Sequence, residues 1–98
     1  MRVTSPNDSG VPSATLVPPP SSGRGWVVLL DNTGPNDVWV SDSQSALDAS
    51  VDSTGTPQNG AILHSGDKVT TIVTSGLWTR SAAAGSFLDI LVGDICVE

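Results

Sequence analysis

The sequence predicts an all-β protein, a small β-sandwich or β-barrel with an extended N-terminal arm. Three observations lead there. From Trp26 onward, short apolar runs rich in β-branched residues recur at the spacing of roughly eight to twelve residues typical of small β-folds. Clusters of Gly, Pro, Asn, Asp and Ser separate those runs. Ahead of Gly25 the chain is polar, proline-rich and without hydrophobic period. The chain thus divides into an arm, residues 1–25, and a β-body, residues 26–98.

The arm holds Pro6, Pro12 and the triplet Pro18-Pro19-Pro20, followed by Ser21-Ser22-Gly23-Arg24-Gly25. Proline removes a backbone donor and fixes φ, so regular sheet is not expected here. The triplet reads as a short polyproline rod, with Gly23 and Gly25 as a hinge. Leu16 and Val17 are the arm's candidate anchors on a neighbouring subunit, and Pro18, Pro19 and Pro20 extend that contact. Deleting residues 1–20 is expected to leave the body folded.

In the body, Trp26-Val27-Val28-Leu29-Leu30 is apolar on both faces and too short for a helix. Asp31 to Asn36 is a turn cluster, and Val38-Trp39-Val40 reads as the return strand of a hairpin. Ser45 to Val51 fits a strand or one helical turn, and irregular or strand structure is favoured. Asp52 to Gly60 is a loop; Ala61-Ile62-Leu63-His64 is a short strand that ends in the Ser65-Gly66-Asp67 turn. Lys68 to Thr74 alternates, with Val69, Thr71 and Val73 on one face and Thr70, Ile72 and Thr74 on the other. Ser75-Gly76 turns the chain, and Leu77 to Arg80 returns it. Phe87 to Val97 is the longest strand, with Gly93 marking a bulge. Two strands apolar on both faces need cover on both sides, from a second sheet or from another subunit.

Ten acids against four bases give a net charge of −6. That argues against a nucleic-acid binder, whose affinity rests on Lys and Arg against phosphate. It equally opposes an anionic membrane surface. No run approaches the roughly 20 apolar residues that span a bilayer, and no signal-peptide pattern opens the chain, so synthesis in a cytoplasm is expected. Cys96 is the only cysteine, which rules out an intrachain disulfide and reads as a buried structural thiol. A folding unit of about 75 residues without disulfide or metal is marginal alone. Self-association is the expected support.

His64 stands without a second His and reads as a surface or turn-flanking residue, so no enzymatic centre is expected. The stretch Asp31 to Asp37 has oxygen donors around a glycine but lacks EF-hand spacing, and turn chemistry accounts for it. No metal and no cofactor is expected. Trp26, Trp39 and Trp78 dominate an aromatic-poor chain and are the candidate interface residues, with Trp26 as the main anchor beside Val28 and Leu30. Exposed on a sheet, Trp39 or Trp78 would alternatively stack on sugar rings.

From Trp26 onward the chain resembles a small β-domain of tailed-bacteriophage structural proteins. The resemblance runs through Val28 to Val40 with its Asn32-Thr33-Gly34-Pro35-Asn36 turn, Ile62 to Asp67, Gly76-Leu77-Trp78-Thr79, and Leu88 to Val97. It implies a virion structural role and no catalytic residues. The expectation is a capsid decoration (cement) protein on the capsid exterior, bound to the major capsid protein and clustered as a homo-oligomer, a trimer most simply. The alternative is a tail, collar or head-fibre module that binds host surface glycans.

Overall fold

The computed structural model of the protein describes residues 1–8, 10–20 and 24–96. Among these described residues, eight strands and one short helix follow in the order β1 (Arg2–Thr4), β2 (Ala14–Val17), β3 (Arg24–Asp31), β4 (Val38–Ser41), α1 (Gln44–Ala49), β5 (Ala61–Leu63), β6 (Lys68–Val73), β7 (Leu77–Ser81) and β8 (Phe87–Cys96). They form two four-stranded antiparallel sheets, in the orders β1-β8-β3-β6 and β2-β7-β4-β5. The protein is an all-β sandwich. Every connection crosses between the sheets except the one from β4 through α1 to β5. This order is that of an eight-stranded jelly roll.

The inner faces make one core. Val28, Leu30, Leu88 and Ile90 of the first sheet meet Leu16, Val17, Val38, Val40, Leu63 and Leu77 of the second. Period-two alternation puts each set on one face. Leu16 and Val17 are adjacent yet both buried, because the register of β2 on β7 shifts between Thr15 and Val17. A bulge of this kind turns two successive side chains the same way.

Several expectations are corrected here. Regular sheet does enter residues 1–25: β1 pairs with β8, and β2 with β7, each as an edge strand. The prolines lie outside these strands, Pro6 and Pro12 between them and Pro18 to Pro20 after β2, where no ladder bond is required of them. Neither β3–β4 nor β6–β7 is a hairpin, since each pair is split between the sheets. The Asp31–Asp37 segment carries the chain from β3 across to β4 around Asn32, which is fully buried. Its amide donates to the carbonyls of Asn36 and Leu63, both at 2.8 Å, and its side-chain oxygen accepts from the Gly34 amide at 3.1 Å.

Residues 44–49 are helical rather than strand. Ser43 caps the helix by accepting from the Ala46 amide at 3.2 Å, and Leu47 points inward, fully buried. Gly93 marks no bulge, for β8 runs in continuous register with β3 from Asp89 to Cys96. A Cβ at Gly93 would lie 2.7 Å from Val27 Cγ1, so glycine is needed there for close cross-strand approach.

The outer faces of the two sheets differ. On the second sheet, α1 packs over β4 and β7, and Trp39 is 9% exposed. Arg80, on the outer face of β7, is 1% exposed. Its guanidinium donates to Asp48 of α1 at 3.1 Å, to the Val11 carbonyl at 2.6 Å and to the Asp8 carbonyl. Asp48 also accepts from the Ser13 amide at 3.0 Å, and Gln44 donates to the Ser13 carbonyl at 2.8 Å. One cation thus ties the N-terminal loop and the helix onto the second sheet. Among the described residues, nothing comparable covers the first sheet.

Candidate interaction surface

The predicted contact residues scatter. Leu16 and Val17 lie in the protein's own core. Pro18 and Pro19 are exposed and Pro20 is half-buried. Trp26 is half-buried against the core, and its indole N–H donates to the Pro18 carbonyl at 2.8 Å. Trp39 is buried under the covered sheet face. Trp78 is half-buried, its ring so near Gly76 that a Cβ there would meet Cη2 at 2.5 Å. Trp39 and Trp78 share the outer face of the second sheet, whereas Leu16, Val17 and Trp26 belong to the interior side. Leu16, Val17, Trp26 and Trp39 pack within this chain.

The opposite parity of β3 and β8 makes the coherent surface. Directly paired residues share a face, so register assembles the rows. Leu91, Leu29 and Thr70 form one row across β8, β3 and β6, and Gly93, Val27 and Ile72 form the next. Leu91 is 69% exposed and Ile72 65%, with Val27 and Leu29 near 37% and 38%. A shallow hollow of about 380 Å³ is lined by Val27, Leu29, Thr70, Leu91, Val92 and Gly93. Sequence reading finds both faces of Trp26–Leu30 apolar and takes the Trp26, Val28 and Leu30 face as the contact face; the structure turns that face into the core. Val28 and Leu30 fill the core, whereas Val27 and Leu29 stay open.

A charged row bounds this face. Arg2, Asp89, Asp31 and Lys68 stand in register across all four strands. Asp89 and Asp31 are neighbours of like charge, and each has a base on its far side. Arg2 Nε lies 2.9 Å from Asp89 and Lys68 Nζ 3.8 Å from Asp31. The Arg2 guanidinium also stacks 4.0 Å from the Phe87 ring centre. The Thr33 hydroxyl donates to Asp89 at 2.6 Å.

The hydrogen bonds from Arg2 and Thr33 hold the Asp89 carboxyl at about 2, below its ordinary 3.8. A depressed carboxylate pKa stabilises the fold above the unfolded value, and that contribution is lost as pH falls through the folded one. The melting temperature should therefore fall between pH 4 and pH 2, and Asp89→Asn should make that fall shallower in a thermal melt followed by circular dichroism. An unchanged slope would exclude the clamp as an acid-sensitive contact.

The remaining polar clusters are turn structures. His64 is exposed, with Nδ1 3.0 Å from Asp37, which raises its pKa. Asp67 accepts from the His64 amide at 2.8 Å. Asp52 accepts from the amides of Thr54 and Thr56 at 2.9 and 3.0 Å and from the Thr54 hydroxyl, which lowers its pKa. Among the described residues, no three His, Cys, Asp or Glu side chains converge as metal ligands. Cys96 ends β8 in register with Arg24, and its side chain lies outside the described ones.

The sandwich is open along one side. Between β5 and β6, the edge strands of the two sheets, lies a cleft of about 390 Å³. Leu30, Val40, Leu63, Val69, Val73 and Leu77 line it. Val69, on the inward face of β6, remains 41% exposed there. No family model, curated protein or solved structure matches this chain.

Proposed function

We propose that this chain is a non-enzymatic virion structural protein, a capsid decoration protein that stabilises a tailed-phage head by binding the major capsid protein. The observation that supports this reading is the asymmetry of the two sheets. One outer face is covered by the chain's own loop and helix, while the other presents Leu91, Leu29, Val27 and Ile72 to solvent. A contiguous exposed apolar face with a polar border is the usual form of a protein-binding surface. The charged border is internally neutralised, so it adds no long-range repulsion to docking.

The resemblance of the sequence to phage structural β-domains supports reading that surface as one that would face a shell, where many weak contacts gain by avidity. The chain would act on the capsid exterior after synthesis in the host cytoplasm. A glycan-binding tail or head-fibre module is the less favoured reading, since Trp39 is only 9% exposed and Trp78 is half-buried, so neither presents a fully open ring.

The test is decoration of undecorated heads of the parent particle, read by co-sedimentation. Leu91→Asp changes a side chain that is 69% exposed and should leave the melt unchanged. It should weaken head binding by about tenfold or more, as burying an unpaired charge does. Full decoration by Leu91→Asp would move the docking surface elsewhere. Absence of binding by the unaltered chain would end the decoration reading.

A further inference from the structure

We infer that the β6 edge is a self-pairing site: two copies of this chain join antiparallel through β6 and make the first sheet continuous across both. Edge strands present unpaired backbone donors and acceptors, and proteins blunt them by shortness, bulges, proline or charge. Three of the four edges here are blunted. β1 and β5 have three residues each, and β2 has four with a register shift. β6 has six residues in unbroken register with β3, no proline, and a single charge at its first position. Among the described residues, no side chain or loop hydrogen-bonds to its free edge.

The strand's own chemistry selects a second copy as the occupant. Antiparallel pairing about a two-fold axis must place like faces together, and a register centred on Thr71 does so. Val69 then stands opposite Val73 of the second copy on the inner face, and Thr70 opposite Ile72 on the outer face. Thr71 stands opposite itself. The chain carries a net charge of −6, yet this strand contains no acid. Lys68 lies opposite Thr74 of the second copy, far from the other Lys68. Two copies therefore meet here without the like-charge repulsion that opposes most other approaches. Pairing would also bring valines over the mouth of the apolar cleft, where Val69 is now exposed.

A two-fold axis normal to the sheet leaves both outer faces on the same side. The rows of Leu91, Leu29 and Ile72 from two copies then lie in one eight-stranded platform. That consequence rests on the decoration reading, because the platform doubles the docking surface; the pairing itself does not.

Sedimentation of the isolated full-length chain tests the pairing without any shell. The expected result is a mass that rises from one chain to two with concentration. Ile72→Lys should remain a single chain, because the two introduced lysines would sit diagonally across the axis at about 7–8 Å. Ile72 is 65% exposed, so folding should be untouched. In a Cys96→Ser background, Thr71→Cys should give a disulfide-linked dimer on mild oxidation, whereas Thr15→Cys should not. A single chain at all concentrations, a trimer, equal association by Ile72→Lys, or no Thr71→Cys cross-link would each overturn the pairing. Self-association without head binding would defeat the decoration reading alone.

Discussion

A chain lacking residues 1–20 is expected to lose its cooperative fold. The deletion removes β1 and β2, exposing the flanks of β8 and β7. It takes Leu16 and Val17, 4% and 2% exposed, from the core, at about 1.5–3 kcal/mol each. It also strips Arg80 of the carbonyls of Asp8 and Val11, and an unsatisfied buried polar group costs about 1–3 kcal/mol. These losses match the total stability of about 5–15 kcal/mol typical of a domain. The measurement is a thermal melt followed by tryptophan fluorescence. A sharp transition near that of the intact chain would show that the N-terminal strands are dispensable. This reverses the expectation of a detachable arm, and the reason is that the arm's apolar residues fill their own core.

Arg80→Met is expected to destabilise the protein by about 3 kcal/mol or more, the range for breaking a buried ion pair. The variant leaves Asp48 facing the protein with only Ser13 as its remaining hydrogen-bond partner. It also frees the Asp8–Val11 loop and one anchor of α1. Adding Asp48→Leu should recover much of the loss, because an apolar pair of similar volume has no charge to desolvate. Urea unfolding of the single and double variants gives the comparison. Arg2→Met serves as the contrast: the Arg2–Asp89 pair is made by a side chain 60% exposed, where water screens it. If Arg80→Met unfolds with the same midpoint as the intact chain, the clamp contributes nothing to holding the loop and helix.

What the sequence determined by itself was local. Alternation in Lys68–Thr74, the apolar runs Trp26–Leu30 and Phe87–Val97, and the turn residues between them were enough to specify strands and an all-β class. They also specified parity, so that Val28 and Leu30 had to share one face and Val27 and Leu29 the other. Which of those faces is buried is not local information. It followed from β3 taking β8 and β6 as neighbours, and from the second sheet stacking on one side only.

The same limit explains the other differences. Turn residues mark where the chain reverses but not whether the next strand joins the same sheet: both Asp31–Asp37 and the short Thr74–Gly76 link cross between sheets, the first stabilised by buried Asn32. The Gln44–Ala49 helix is too short to persist on its own; it exists because Ser43 caps it and Leu47 is buried. In the sequence, Arg80 reads only as the last residue of the Leu77–Arg80 return strand. Its partners lie 69 and 72 positions away in the N-terminal loop and 32 away on the helix, and only the folded chain brings them together. Strand identity is set by side chains within a few residues of one another, but sheet membership, edge position and the bare face are set by pairings across the whole chain.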